Sequence, residues 1–360
     1  MRRPVGLALI CLGAFCLTLA PLVRFYMADQ MVRAPLNRYQ VTRLEARNAT
    51  YFDQASLKTK TGVTLQASNT VRGDVRANGG DDRIAVWDSS TNIYDTANPD
   101  KPVQIQGYRI AFDRASSQLV QCCGAHVDGD GSVKMRGYGL LFPLANVRKR
   151  DYPFFDMTTK QAVPMRYSGE EEVRGMRAYR FVQQVPDTKT AALDVKLPAR
   201  MLGLPAKTPD QKVDRYSSAT ITVWVDPRTG IPVKHRQTIN STVRTPDQRG
   251  RMTVASADLV TMEAFQKSLV DMANSNALKL GMVRSYVPVT AVLLGLALLV
   301  AGAIGGLAGG VRERRGGGPV PAPRRSDGKF GDTASGAPAS GAPAAPPPGR
   351  QIPSAPSRRR

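Results

Sequence analysis

The chain is poor in the side chains that most chemistry needs. Its 360 residues include two histidines, His126 and His235, far apart in sequence. A zinc site or a hydrolase triad would need at least one of them in a recognisable setting. No H-E-x-x-H, G-x-S-x-G, P-loop or dinucleotide fingerprint occurs. No catalytic, cofactor-binding or metal-binding residue is therefore assigned, no cofactor is expected, and the chain reads as non-enzymatic. His235 falls in the return strand of a hairpin and is expected at the surface. Cysteine is nearly as scarce, with Cys11 and Cys16 in an apolar run and Cys122 and Cys123 side by side elsewhere. The adjacent pair can form a vicinal disulfide in an oxidising compartment or remain two small buried thiols. Acid is short as well: 29 Asp and Glu face 50 Lys and Arg, a formal charge of +21. Such an excess raises the question of nucleic acid. Between Arg24 and Tyr286, however, 38 basic and 26 acidic residues are interspersed, with no compact basic helix, zinc finger or aromatic-basic signature. No nucleic-acid partner is expected.

What is present in quantity is apolar sequence in two blocks. Pro4 to Val23 is uncharged and follows Arg2 and Arg3. At about 1.5 Å per residue it reaches roughly 30 Å, and it outruns the ~7–15-residue core of a cleavable signal peptide. The expectation is a retained transmembrane signal anchor over residues 1–25. A second uncharged run spans 287–311, followed by Arg312, Arg314 and Arg315. Arginine flanks on both outer ends predict a two-pass plasma-membrane protein, both termini cytoplasmic, with the central domain extracytoplasmic. Gly295, Gly302, Gly306 and Gly310 mark a helix-packing face on the second run, either for the first run or for a homo- or hetero-oligomer. Neither run carries an ionisable residue, which argues against an ion pathway through the helices.

Residues 26–261 read as strands. Ala219-Thr-Ile-Thr-Val-Trp-Val225 alternates, placing Ile221, Val223 and Val225 on one face. Asp226-Pro-Arg-Thr-Gly230 supplies turn chemistry, and Ile231 to Ile239 returns. Tyr108 to Phe112 with Leu119 to Cys122 forms a weaker hairpin, and Ile84 to Trp87 a further strand. Asp128-Gly-Asp-Gly-Ser132 lacks the bidentate Glu of a calcium loop and reads as a turn. Glu170, Glu171 and Glu172 read as a solvated strand edge. Residues 262–286 switch to helical period, with Met262, Phe265, Leu269, Met272 and Ala273 on one face. The segment 312–360, rich in Pro, Ala, Gly and Arg, holds too few aliphatic residues to fold and is expected to be a disordered cytoplasmic tail. The fold class is a β-rich (α+β) antiparallel-sheet ectodomain flanked by two transmembrane helices.

The stretches Gly137-Tyr-Gly-Leu-Leu-Phe-Pro143, Arg150-Asp-Tyr-Pro-Phe-Phe-Asp156, Tyr167-Ser-Gly-Glu-Glu-Glu-Val-Arg-Gly175 and Ala178-Tyr-Arg-Phe181, with the two apolar runs, resemble the actinobacterial porin-A-like family of two-pass membrane proteins. That resemblance covers the chain to about residue 310 and implies a class without site residues. Residues 167–242 are more loosely similar to lipoprotein-carrier domains, curved antiparallel half-barrels that shelter acyl chains. Together these features give an expected integral cell-envelope protein whose external domain binds lipid or an anionic envelope polymer. The alternative is a structural or scaffold subunit of an envelope complex. The expected partners are membrane lipid, an anionic envelope glycan or lipid ligand, and another subunit through the second span.

Overall fold

A computed structural model describes residues 2–27, 30, 32–145 and 147–314, so the tail from 315 onward lies outside the described residues. The chain opens with helix α1 (Arg2–Pro21) and a π-helical turn (Leu22–Met27). Twelve strands follow: β1 (Tyr39–Asp53), β2 (Lys58–Gly73), β3 (Ile84–Asp95), β4 (Pro102–Asp113), β5 (Leu119–Val120), β6 (His126–Val127), β7 (Tyr152–Asp156), β8 (Gln161–Val173), β9 (Met176–Leu197), β10 (Gln211–Val225), β11 (Pro232–Arg244) and β12 (Arg251–Thr261). Helix α2 (Glu263–Gly281) passes through a second π-helical turn (Met282–Tyr286) into α3 (Val287–Arg314).

All twelve strands share one sheet, and every strand pairing in it is antiparallel. Its order is β5-β4-β3-β2-β1-β12-β11-β10-β9-β8-β7, with β6 also on β4. The topology is two meanders joined where β1 meets β12, the first and last strands of the domain. Local chemistry closes the hairpins. Arg174 (φ 48°) and Gly175 (φ 77°) form the two-residue turn between β8 and β9, the positive-φ pair that matches strand twist. Within the Asp226–Gly230 turn, Asp226, Thr229 and Gly230 are buried while Arg228 is exposed. Asp226 accepts from Thr229 Oγ1 (2.8 Å) and Arg228 Nε (2.9 Å), while Gly230 takes φ 78°. The hairpin begun at Tyr108 returns for only two residues as β5, because the chain turns again at Cys122. The Ala125 amide donates to the Cys122 carbonyl (3.0 Å) there.

The sheet curls into a half-barrel whose two edges, β5 and β7, are joined by one short strap. Leu119 N donates to Gly137 O (2.8 Å), Tyr138 N donates to Pro153 O (2.8 Å), and Phe155 N donates to Tyr138 O (2.8 Å). Tyr138 thus bridges to Gln118 on one side and Phe154 on the other. Aromatic packing locks the strap. Tyr138 stands 5.5 Å from Tyr152 and 5.7 Å from Phe154, and Phe142 packs at 4.5 Å on Phe154 and 4.7 Å on Phe181. Such pairs add about 0.5–1.5 kcal/mol each beyond area burial. Helix α2 buries Leu269, Val270 and Ala273 against Trp224, Ile231 and Val233. Thus the apolar face read for residues 262–286 docks on the sheet.

The terminal helices are apolar and long enough to cross a membrane, and they pack as an antiparallel pair. A Cβ on Gly13 would stand 2.8 Å from Gly295 O, and one on Gly302 would stand 2.8 Å from Gly6 O. The face carrying Gly295 and Gly302 is therefore taken by α1. Gly306 and Gly310 continue α3, but their surroundings lie outside the described residues.

Gly137 has φ 82°, and a Cβ there would collide with the Pro153 carbonyl. Gly137→Ala should destabilise the domain by about 1–3 kcal/mol through strain at this one position. Thermal melts in detergent would register the loss, and an unchanged midpoint would show that the strap does not hold the edges. Gly302→Leu should separate α1 from α3 while leaving the sheet melt intact, read as new protease sensitivity near the helices.

Candidate functional site

The half-barrel encloses an elongated cavity of about 930 Å³. Strand alternation decides its lining. Residues 40, 42 and 44 of β1, 67, 69 and 71 of β2, and 104, 106, 108 and 110 of β4 point inward, while their neighbours point out. The apolar part comes from Leu44, Trp87, Ile110, Leu119, Phe142 and Phe155, contiguous with the buried core. The rest is polar, which is unusual for the inside of a sheet. Thr42, Asn69, Thr91 and Gln106 stand opposite one another across four strands, forming a rung over the cavity wall. Asn69 Nδ2 donates to Thr91 Oγ1 (2.8 Å) and Ser89 Oγ (2.9 Å). On the facing meander, Ser217 and Ser241 are buried and hydrogen-bonded to each other at 3.2 Å.

The charge in this cavity is one-sided. Arg33, Arg38, Lys160, Arg215, Lys234 and Lys279 contribute to the lining against Asp128 and Asp156. Both carboxylates are already engaged: Asp128 Oδ1 accepts from Gly107 N (2.8 Å), and Asp156 Oδ2 accepts from Thr159 N (2.8 Å) and Oγ1 (2.6 Å). Arg38 and Arg215 have no carboxylate partner among the described residues, and burial lowers the pKa of both guanidinium groups. Arg38 lies over the Trp87 ring at 5.6 Å and reaches Gln40 and Met272 Sδ. Arg215 donates from Nε to Ser241 Oγ at 3.1 Å.

Register separates the two arginines. Leu44 pairs with Thr261, whose Oγ1 accepts from His235 N (2.9 Å), and β1 and β11 run in the same direction on either side of β12. Arg38 precedes Leu44 by six residues and Ser241 follows His235 by six. At about 3.3 Å per residue, the two cationic ends lie roughly 20 Å to either side of His235 along the strands. His235 itself corrects the surface placement expected from sequence. It lines the cavity, its Nε2 is buried without a hydrogen-bond partner among the described residues, and desolvation pushes its pKa down to about 4.

The outward face has the opposite character. Arg236 grips Asp258 (Nη2 to Oδ2 2.7 Å, Nε to Oδ1 2.9 Å), Lys189 pairs with Asp214 at 2.7 Å, and Arg180 with Glu171 at 2.6 Å. Glu171 also accepts from Trp224 Nε1 (2.6 Å), and Glu170 pairs with Lys149 and Arg177, so the acidic run is tied into the hairpin. Cys122 and Cys123 are joined as a vicinal disulfide, and Cys11 and Cys16 are free in α1. Asp130 pairs with Lys160 at 3.0 Å, which fastens the Asp128–Ser132 turn to the β7–β8 hairpin.

Sequence reading did not single out Arg38, Asn69 or Arg215, although a signal for Arg215 was available. Stepping back by twos from Val225 through Ile221 and Ala219 puts Ser217 and Arg215 on the inward face. Arg38 and Asn69 carry no comparable mark, because their inward direction depends on a sheet closure that no local pattern shows.

The family profile described as Porin PorA matches residues 5–304, and the chain belongs to that family. Porin PorA of Corynebacterium resistens is 24% identical over 217 residues, covering 44% of this chain and 52% of the relative. Porin PorA of Corynebacterium amycolatum is 22% identical over 298 residues, covering 65% of this chain and 76% of the relative. The match thus spans about half the length of the first relative. This kinship overturns two expectations. A domain that binds lipid or an anionic envelope polymer, or that serves as a scaffold subunit, does not fit kinship with proteins named porins. Nor does residence in the plasma membrane with both termini in the cytosol, because arginine flanks record charge at the ends of a span and do not identify the membrane.

His235 supplies a test of the cavity environment. Its pKa lies below the unfolded value of about 6.5, so the folded state holds the neutral ring. Stability should therefore be full above pH 6.5 and fall as pH drops from 6.5 towards 4. His235→Gln should remove this component of the pH dependence of the melting midpoint. Identical profiles for the two proteins would place the ring in contact with solvent.

Proposed function

With membership of the Porin PorA family as premise, we propose that the protein is a non-enzymatic, solute-conducting porin of the cell envelope. The half-barrel cavity is its solute path outside the bilayer, and the α1–α3 pairs of several copies together carry that path across. One observation carries the reading: an elongated cavity of about 930 Å³ inside the sheet, lined by a polar rung and by more cations than carboxylates. A sheltered apolar site would not spend four adjacent inward positions on Thr42, Asn69, Thr91 and Gln106, since buried polar groups are costly unless paired. A solute path needs them, because hydroxyl and amide groups replace the hydration that a polar solute gives up.

The division of labour follows from surface chemistry. Membrane-spanning barrels carry an apolar outward band about 25 Å tall. Here the outward face carries Arg236, Asp258, Arg180 and Glu171, so the strands do not face lipid. The helices do, with Leu7, Leu12, Phe15, Leu293, Leu296 and Ile304 exposed along them.

Conductance in planar bilayers tests the proposal. The purified full chain should give discrete current steps. Asn69→Trp, which fills the rung, should cut unit conductance several-fold, and Thr238→Trp on the outward face should leave it unchanged. Absence of current from the folded chain, or equal conductance in all three proteins, would overturn the assignment of the cavity as the path.

A further inference from the structure

The two cavity arginines are not equivalent. Arg38 is occupied: its guanidinium stacks over Trp87, reaches Gln40 and touches Met272. Arg215 spends only Nε, on Ser241 Oγ, and neither terminal nitrogen has a partner among the described residues. Ser217 and Ser241 form a buried hydroxyl pair beside it. We infer that the open fork of Arg215, with Ser217 and Ser241, is a binding station for small organic monocarboxylates.

Three features select that class. A guanidinium fork matches a planar carboxylate with two parallel N–H···O bonds, and such charge-assisted pairs are the strong ones. The charge available is single, because neighbouring cations are already neutralised: Lys189 by Asp214 at 2.7 Å and Arg244 by Asp187 at 2.6 Å. A dianion such as phosphate would therefore leave a second charge desolvated and uncompensated. Ala191, Ile239 and Ala255 line the cavity on the adjoining strands and suit the apolar body of an organic acid better than an inorganic ion. Desolvation weighs on the Arg215 guanidinium, and an incoming carboxylate relieves it.

The inference rests on the cavity being open to solute, and the experiment separates the two claims. Equilibrium dialysis of labelled benzoate against the full chain in detergent measures binding, with neutral benzamide as isostere. Benzoate should bind at least tenfold more tightly than benzamide. Arg215→Gln should weaken benzoate tenfold or more and leave benzamide unchanged, while Arg215→Lys should retain part of the affinity and Arg38→Gln nearly all of it. Melting curves establish that each variant is folded. Equal binding of benzoate and benzamide, insensitivity to Arg215→Gln, stronger competition by inorganic phosphate than by benzoate, or no binding by the folded wild-type chain would each overturn the station. Benzoate binding without bilayer current leaves the station standing and removes the conduit. Current without benzoate binding does the reverse.

Discussion

A curled sheet has two edges, and each edge strand carries a row of amide and carbonyl groups that must find partners or water. In this protein a strap of two residues, Gly137 and Tyr138, takes hydrogen bonds from both edges at once. The cavity lies behind that closure. Without it β5 and β7 would part, the cavity would become an open trough, and Asn69 and Ser241 would face bulk water. The strap can bridge because Gly137 adopts a left-handed conformation with no Cβ to strike Pro153. It stays because Tyr138, Tyr152, Phe142, Phe154 and Phe181 interlock over it. Backbone pairing sets the geometry, and the aromatic cluster holds it.

Closure gives the interior a character that an open sheet would not need. Antiparallel sheets usually put apolar residues on one face and polar residues on the other. Here the outward face carries ion pairs and the inward face is mixed, apolar near Trp87 and Phe142 and polar along the Thr42-to-Gln106 rung. The mixture has a consequence for charge. Inside a low-dielectric enclosure each unpaired cation acts over a longer distance than at the surface, so the excess of lining cations over carboxylates sets the sign of the cavity. His235, midway between Arg38 and Arg215 by register, is held neutral by desolvation and adds no further positive charge.

The sequence discloses these layers unevenly. The apolar runs, the strand alternation around Val225, the Asp226–Gly230 turn and the helical period after Met262 are local patterns, and each marks an element that forms. Family kinship was also legible, and for a physical reason: Gly137 to Pro143, Arg150 to Asp156 and Ala178 to Phe181 are the strap and its aromatic clasp. The residues that make the sequence recognisable are those that close the barrel. The interior was less legible. Whether Arg38 or Asn69 faces a cavity depends on how the edges are joined, a bridging of β5 to β7 through Gly137 and Tyr138 that no window of adjacent residues records. His235 was misplaced for the same reason, since a polar residue in a return strand looks solvent-facing until the sheet curls over it.

The same closure separates two tasks that a membrane β-barrel combines. In such a barrel the strands meet lipid outside and water inside, so one wall serves both. This sheet has charged residues outside and is unsuited to lipid, and the helix pair of one copy has no polar face and cannot line a water path by itself. Close packing rules out a route between α1 and α3 as well, because Gly13 and Gly295 bring the backbones too near for even a methyl group. On the proposed reading, anchoring therefore belongs to the helix pair and solute contact to the half-barrel. Helix α2 joins them physically. Its Leu269 and Ala273 are fixed on the sheet, Met272 touches Arg38 at the cavity, and its far end leads through a π-helical turn into α3. Arg284 in that turn donates to the Ala145 carbonyl (3.2 Å), and Ala145 lies in the loop running from the strap towards β7. One hydrogen bond thus joins the turn that leads into α3 to the loop that continues from the strap.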